Sequence, residues 1–240
     1  MRTSPDLSSP VRLPSGRHGL TREDVAGSQR GRILAAMMSA AREKGYAVAT
    51  VGDIVERAGV SRRTFYEHFA DKPDCFLAAY TAGTEVLLAG MREAVRAVDQ
   101  ANWRVWARAS VESYLELLEA EPDFAWALHV EVFAAGPTAQ ARRAEIVSLL
   151  AGRWRRLYDR ALREDPGLGP APSESLLRTI VVGHEELVRE QLRNHHPPRL
   201  RELTGAAVEI ALRMLDPGAG VGAAAAVVDL SQDPSSTPAD

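Results

Sequence analysis

Apolar residues recur at intervals of three to four along most of the chain, which is the spacing of amphipathic helices. A first stripe contains Ile33, Met37 and Ala41, and a longer one runs from Phe76 to Val98. Further helices are predicted to begin at Trp103, at Pro122, and near Thr138, Ser173 and Pro198. No segment alternates β-branched and polar residues between turn signals, as a strand would. The pattern therefore predicts an all-α fold of about nine helices.

The two ends of the chain lack this periodicity. Residues 1–20 are rich in proline and serine, and residues 216–240 pass from glycine and alanine into aspartate, proline, serine and threonine. Such segments have little apolar surface to bury. We expect a disordered arm at residues 1–20 and a disordered tail at residues 216–240.

Composition narrows the possible functions. The 240 residues are 45% hydrophobic, enough for a sizeable core, and the net charge of -3 is not strongly basic. Any affinity for nucleic acid must therefore come from a local patch. The single cysteine, Cys75, excludes an internal disulfide and a multi-cysteine metal site, and it fits a reducing cytoplasm. No apolar run is long enough to span a bilayer, so we expect a cytoplasmic protein without a membrane partner.

After the first helix, the sequence predicts two short helices joined by a glycine turn. Thr50 opens the first of them, with Asp53 three residues later in a capping-box arrangement, and Gly59 ends it. Ser61 is placed to cap the next helix, residues 62–69. Two short helices joined by such a turn form a helix-turn-helix.

The outer face of that third helix is rich in hydrogen-bond donors. The face contains Arg62, Arg63, Thr64, Tyr66 and His68. Donors of this kind read base edges in the major groove of DNA. The alternative is a purely structural corner, since paired arginines on a short helix are usually just solvated. The combination of caps, apolar centre and donors in one unit favours DNA binding.

The helix-turn-helix lies within a longer run of residues. That run contains Thr50-x-x-x-Ile54, then Ala58-Gly59-Val60-Ser61-x-x-Thr64-Phe65-Tyr66-x-His68-Phe69-x-x-Lys72, and then Phe76-Leu77. It resembles the tetracycline-repressor-like (TetR) family of transcriptional regulators, over residues 29–80. The resemblance implies that residues 21–80 form a DNA-binding domain whose third helix enters the major groove. It also implies that Thr50, Tyr66 and Lys72 contact phosphates.

The predicted DNA-binding residues are Thr50, Gly52, Ser61, Arg62, Arg63, Thr64, Tyr66, His68 and Lys72. Gly52 departs from the family, because some members place a base-reading arginine at the corresponding position. The second helix should therefore contribute less sequence readout here. Arg12 and Arg17 of the arm are further candidates, for contacts in an adjacent minor groove.

Residues 81–215 carry aromatic residues at helical spacing, and most of them are expected to be core anchors. The resemblance implies in addition a cavity between the helices of this ligand-binding and dimerisation domain, suited to a small hydrophobic effector. The candidate ligand-binding residues are Trp106, Tyr114, Trp126, His129, Phe133, Trp154 and His184. For the two histidines, a hydrogen-bonded position in the core is the more common arrangement.

The last two predicted helices have wide apolar stripes. The first includes Leu176, Leu177, Ile180, Val181, Gly183, Leu187 and Val188, and the second includes Leu200, Leu203, Ala207, Val208, Ala211, Met214 and Leu215. The resemblance implies that these helices pair with their copies in a second subunit. A homodimer of this kind suits a pseudo-palindromic operator in double-stranded DNA.

Other classes of function lack support in the sequence. No Glu-x-x-His, Gly-x-Ser-x-Gly or Walker-type glycine loop occurs, so no catalytic, metal or cofactor site is predicted. Cys75 lies near Asp71 and Asp74, which disfavours a thiolate. The sequence therefore predicts a DNA-binding repressor released by a small hydrophobic ligand. The alternative is a small-molecule binding protein, or an unrecognised enzyme, whose helix-turn-helix has no regulatory use.

Overall fold

The computed structural model describes residues 22–98 and 102–216, and the side chains of those residues from Gly27 onward. The arm predicted at residues 1–20, with Arg12 and Arg17, lies outside the described residues, as does all of the predicted tail after Asp216.

Nine α-helices account for most of the described residues. They are α1 (Arg22–Lys44), α2 (Val51–Ala58), α3 (Arg62–His68), α4 (Lys72–Ala97), α5 (Trp103–Ala120), α6 (Pro122–His129), α7 (Pro137–Glu164), α8 (Glu174–Asn194) and α9 (Thr204–Leu215). Short 3-10 helices at Glu131–Phe133 and Leu200–Leu203 precede α7 and α9. No strand occurs within residues 22–98 or 102–216, and the all-α prediction is confirmed.

The helix expected to begin near Pro198 begins later. Arg199 has φ -115° and ψ 68°, outside the helical region, and the 3-10 helix that follows leads into α9 only at Thr204. A proline disfavours the helical conformation of the residue before it, and Pro197 and Pro198 impose this on two successive residues. The predicted start of the last helix was therefore wrong, because it placed the helix too early.

Helices α1, α2 and α3 form a small head around a common apolar centre. Ile54 of α2, Phe65 of α3 and Phe69 are almost completely buried. Gly59 has φ 62° and turns the chain between α2 and α3, because glycine adopts the left-handed conformation at little cost. The helix-turn-helix expected from the sequence is present.

Helix α4 runs for 26 residues from the head into the body, which comprises α4 to α9. Two glycines let α4 pack closely on its neighbours. A Cβ atom at Gly83 would lie 2.3 Å from the ring of Phe124 in α6, and one at Gly90 would lie 2.6 Å from Leu117 in α5. The domain boundary expected after residue 80 falls within α4, and the division into two domains stays a prediction.

The head is held against the body by α6 and the 3-10 helix after it. The carboxylate of Glu131 accepts hydrogen bonds from the backbone N–H of Tyr46, at 2.7 Å, and from the indole N–H of Trp126, at 2.9 Å. Arg42 of α1 forms an ion pair with Asp123 of α6 at 2.8 Å. The orientation of the head is therefore tied to the position of α6.

Candidate DNA interface and ligand pocket

The N-terminus of α2 is fixed by a reciprocal cap. The Thr50 hydroxyl accepts a hydrogen bond from the backbone N–H of Asp53 at 3.2 Å, and the Asp53 carboxylate accepts one from the backbone N–H of Thr50 at 2.8 Å. The hydrogen bond from Lys44, together with those from Thr50, holds the pKa of Asp53 well below its ordinary value. The capping box predicted from the sequence is confirmed.

Helix α3 is anchored on one side and exposed on the other. The Ser61 hydroxyl caps it by accepting a hydrogen bond from the backbone N–H of Thr64 at 3.0 Å, and Phe65 is completely buried. On the outer side, Arg62, Arg63 and Tyr66 are exposed, and Thr64 and His68 are half-buried.

The two arginines of α3 differ in their partners. Arg63 forms an ion pair with Glu67 at 3.0 Å. Arg62 has no ion-pair partner among the described residues, and its guanidinium lies beside Gly52 of α2. Arg62 is therefore the α3 guanidinium that is free to bind another molecule.

Lys72, at the start of α4, has a structural role that the sequence did not reveal. Its ammonium group donates hydrogen bonds to the backbone carbonyls of Tyr46, at 2.8 Å, and Ala49, at 2.9 Å, and it lies 4.4 Å from the centre of the Tyr46 ring. Burial lowers the pKa of Lys72. Two of the three ammonium N–H groups thus hold the turn between α1 and α2, and one remains for a phosphate. The DNA contacts of all nine predicted residues stay predictions.

A pocket lies in the body between α4, α5, α7 and α8. It has a volume of about 330 Å³, including the part open to solvent, and it is lined by Met91, Ser110, Val111, Tyr114, Leu150, Trp154, Val181 and His184. Three of these residues, Tyr114, Trp154 and His184, were predicted from the sequence. The other five come from four different helices and carry no local signal of a pocket.

The remaining four candidates for ligand binding lie outside this pocket, and a role for them in ligand binding stays a prediction. Trp106 is almost completely buried, with the Arg160 guanidinium 3.6 Å from its ring, and Trp126 donates to Glu131. Phe133 is 44% exposed, between the guanidinium groups of Arg143 and Arg189. His129 is completely enclosed in the protein. Aromatic residues at helical spacing are shared between core, surface and pocket, and spacing alone does not separate these roles.

Two buried histidines are neutral parts of the body. The Nδ1 atom of His129 lies 2.8 Å from the backbone carbonyl of Ala125, so Nδ1 donates and Nε2 accepts the hydrogen bond of the Tyr114 hydroxyl at 2.7 Å. Burial lowers the pKa of His129 to about 4. In the pocket wall, Nε2 of His184 donates to the backbone carbonyl of Ala207 at 2.8 Å, and burial lowers the pKa of His184 as well. Neither histidine brings a positive charge to the pocket near neutral pH.

The described residues give little support for a reactive thiol, a metal site or a membrane-spanning helix. Cys75 is completely buried, and burial, with a smaller contribution from Asp74, raises the pKa of its thiol to about 12. Within residues 22–98 and 102–216, no group of three or more metal-ligating side chains could hold a metal ion. In the same ranges, no helix is both long enough and apolar enough to cross a membrane.

Comparison with known proteins is consistent with these features. Residues 33–79 match the model of the tetR family of bacterial regulatory proteins. The transcriptional activator FasR of Mycolicibacterium smegmatis is 33% identical over 91 residues, which cover 38% of this chain and 41% of FasR. The transcriptional repressor Rv1474c of Mycobacterium tuberculosis is 32% identical over 135 residues, covering 50% of this chain and 68% of that protein.

Among solved structures, the regulator FadR from Bacillus subtilis in complex with stearoyl-CoA has the same fold. Its TM-score is 0.65 at 18% identity, over 75% of this chain and 96% of that chain. A helix-turn-helix head with an exposed donor face, carried on a helical body with a pocket, defines a transcriptional regulator. The chain belongs to the tetR family of bacterial regulatory proteins.

Proposed function

We propose that this chain is a dimeric repressor that binds operator DNA through α3 and leaves it when a small, largely apolar ligand occupies the pocket. The observation that carries the proposal is the division of α3 into two faces. Phe65 anchors the inner face, while Arg62, Arg63 and Tyr66 extend from the outer one. Exposed guanidinium and hydroxyl donors on a short, firmly capped helix suit the major groove and its phosphates.

The pocket supports a ligand with a substantial apolar part. Five of its eight lining residues have apolar side chains: Met91, Val111, Leu150, Trp154 and Val181. Among these five, the indole N–H of Trp154 is the only N–H or O–H donor in a side chain. The FadR regulator of the same fold was crystallised with stearoyl-CoA, whose acyl chain is a ligand of this kind. Helix α4 contains both Met91 at the pocket and Lys72 at the head, so a ligand that shifts α4 would also shift the head.

A homodimer is supported by the surface that α8 and α9 leave uncovered. Most residues of the two predicted stripes are buried within the chain's own core, so the width of the stripes does not by itself require a partner. The half-buried residues that remain for a second subunit are Leu176, Gly183, Leu187, Leu203 and Met214. A Cβ atom at Gly183 would meet no other atom within 4 Å, so there is room for a second helix to approach closely.

The proposal is tested by selecting bound fragments from the source genome and measuring their affinity by fluorescence anisotropy. We expect tight, salt-dependent binding to a pseudo-palindromic site, and much weaker binding by a variant with Arg62→Ala and Tyr66→Phe. Transcription in vitro from the selected promoter then gives the direction of regulation, which matters because one relative is named an activator and another a repressor. Failure to retain any fragment at low salt would favour a small-molecule binding protein instead.

A further inference from the structure

Three polar atoms in the pocket wall are left without a hydrogen bond among the described residues. They are the hydroxyl of Ser110, the indole N–H of Trp154 and Nδ1 of His184, and all three residues line the pocket and are more than nine-tenths buried. None of these atoms is bonded to another group within residues 22–98 and 102–216, and none of them is enclosed by the protein. Buried polar groups are normally hydrogen-bonded. The pocket wall therefore offers unused positions for hydrogen bonds with a ligand.

The direction of each hydrogen bond is fixed by the protons of the wall. Nε2 of His184 carries the imidazole proton, because it donates to a backbone carbonyl of α9 at 2.8 Å, so Nδ1 can only accept. The indole N–H of Trp154 can only donate, and the hydroxyl of Ser110 can do both. The hydroxyl of Tyr114 is already committed, since it donates to Nε2 of His129 at 2.7 Å. A ligand group that satisfies the wall must therefore both donate and accept.

The wall carries no charge that could pair with an ionised ligand. None of the eight described residues that line the pocket is an aspartate, glutamate, lysine or arginine, and burial lowers the pKa of His184, which keeps its imidazole neutral near neutral pH. Moving a carboxylate or an ammonium group from water into such surroundings costs far more than moving a hydroxyl. A carboxylate would also face the lone pair of Nδ1. The pocket therefore favours an uncharged polar group.

The unused atoms come from three helices around one small space. Ser110 belongs to α5, Trp154 to α7 and His184 to α8, and the ring centres of Trp154 and His184 are 6.2 Å apart. The pocket has a volume of about 330 Å³, including the part open to solvent. At roughly 30 Å³ each, the share of a water molecule in the liquid, this volume holds on the order of ten non-hydrogen atoms. A ligand of that size has room for one polar group and a short apolar part.

We propose that this pocket binds an uncharged alcohol, whose hydroxyl donates to Nδ1 of His184 while its oxygen accepts from Ser110 or Trp154. A hydroxyl is the smallest neutral group that both donates and accepts. Met91, Val111, Leu150 and Val181 then surround the apolar part of the ligand. The inference rests on the proposed function only for the claim that this ligand releases DNA, because binding to the free protein is measured without DNA. The site therefore distinguishes an alcohol from an ether and from an acid with the same alkyl chain.

Isothermal titration calorimetry of the full chain with four matched probes tests the proposal. 1-Octanol donates and accepts, methyl octyl ether only accepts, octanoate is an anion, and octanoyl-CoA combines an acyl chain with a large anionic head group. We expect 1-octanol to bind about tenfold more tightly than the ether, which cannot donate to Nδ1 of His184. Octanoate should bind at least about tenfold more weakly than 1-octanol, because its charge finds no partner in the wall.

Two serines of α5 provide a matched pair of variants. Ser110→Ala removes a donor that serves the oxygen of either neutral probe, so it should weaken 1-octanol and the ether by a similar factor of about three to ten. Ser113 is equally buried, but its hydroxyl donates to the backbone carbonyl of Ser110 at 3.2 Å and it does not line the pocket. Ser113→Ala should therefore retain the affinity for 1-octanol.

His184→Phe should reduce the preference for 1-octanol over the ether to about one, with circular dichroism as the check on folding. The comparison of probes on the unmodified protein and the serine variants decide the question even if this variant does not fold. Equal affinity for alcohol and ether, tighter binding of octanoate or octanoyl-CoA than of 1-octanol, no binding of any probe, or full affinity after Ser110→Ala would each overturn the inference.

Release of operator DNA is measured separately by fluorescence anisotropy. If 1-octanol binds as expected but does not release DNA, the inference about the pocket stands and the proposed release by its ligand fails. If operator DNA is bound and only octanoyl-CoA releases it, the proposed function stands and this inference fails.

Discussion

The guanidinium of Arg62 fills the space that a side chain at position 52 would need. Its Nη2 atom lies 3.2 Å from the point where a Cβ atom of Gly52 would be, and the Thr50 hydroxyl lies 3.3 Å from the same point. A glycine at this position of α2 therefore leaves a place for an arginine of α3. We therefore expect base readout in this protein to come from Arg62 of α3 rather than from α2.

Arg62→Ala should cost about 1 to 3 kcal/mol of operator affinity and relax the preference at one base position, because an arginine can bind a guanine edge bidentately. Affinities for a set of single-base operator variants measure this. Arg63→Ala is the matched control, since Arg63 is held by Glu67, and it should change affinity less. A uniform loss of affinity for all operators after Arg62→Ala would show that Arg62 only positions the protein.

Gly52→Ala tests the same relationship from the other side. The new methyl group would press on the end of a flexible arginine, which must shift by a few tenths of an ångström. We expect α2 to gain about 0.5 to 1 kcal/mol of stability from the alanine, while base preference changes at the position that Arg62 reads. Unchanged preference at that position would argue against the contact.

Tyr66→Phe should weaken binding to cognate and altered operators by a similar factor, since its hydroxyl is expected at a phosphate. The ring is 55% exposed and packs edge-to-face on Phe65 at 5.3 Å, a contact that phenylalanine preserves. The salt dependence of binding should barely change, because tyrosine is uncharged. Altered base preference in this variant would reverse the roles assigned to Tyr66 and Arg62.

Lys72→Ala should have two effects that can be separated. The slope of log affinity against log salt concentration should become less steep by the amount expected for about one phosphate contact. The head should also lose about 1 to 3 kcal/mol of stability, because the carbonyls of Tyr46 and Ala49 lose their hydrogen-bond donor. Lys72→Arg retains the charge and should restore the salt dependence, even if the turn between α1 and α2 is less stable. A lower melting temperature with an unchanged salt dependence would limit Lys72 to its structural role.

Gly183→Arg should abolish the dimer and leave the protomer folded, because a Cβ atom at this position would meet no atom of another element within 4 Å and Gly183 is only half-buried. Sedimentation velocity measures the assembly, and circular dichroism measures the fold. Gly183→Ala is the control: it should retain the dimer and stabilise the helix by about 1 kcal/mol. Leu187→Arg and Leu203→Arg should also break association, but both residues pack against the core, so these variants test folding too.

Stability should decrease in mild acid because His129 is neutral in the folded protein. Its pKa is about 4, against an ordinary value of 6.5, so between these values the unfolded chain binds a proton that the folded chain does not. The contribution is complete above pH 6.5 and is lost as the pH falls toward 4, up to about 3 kcal/mol. Urea unfolding from pH 7.5 to 4.5 measures it. His129→Gln should reduce the pH dependence, although His184 leaves a remainder of the same sign; an unchanged dependence would contradict the assignment.

The head could be predicted from the sequence because its signals are local. Thr50, Gly59 and Ser61 each fix a backbone conformation or satisfy a backbone N–H within three residues, so sequence and geometry are directly connected. The role of Lys72 could not be predicted in this way. It depends on the return of the chain to carbonyls more than twenty residues earlier.

The body was predictable in its helices but not in its pocket. Trp106 and Trp154 belong to similar amphipathic stripes, yet one is enclosed in the core and the other lines the pocket. The difference depends on which helices pack against each stripe, and this is a property of the tertiary structure. The wide stripes of α8 and α9 were interpreted as a dimer surface, whereas most of their residues cover the chain's own core.

The continuity of α4 turns small changes at the pocket into larger ones at the head. Met91 and Lys72 are nineteen residues apart on this helix, about 28 Å, so a tilt of about 5° around Met91 would displace Lys72 by about 2.5 Å. That displacement is several times the range of about 0.5 Å over which the donor–acceptor distance of a hydrogen bond varies, so a side chain that reads a base edge would lose its contact. In a two-fold assembly the second head would move equally in the opposite sense. A ligand that tilts α4 by a few degrees when it enters the pocket would thus move both heads out of register with their half-sites.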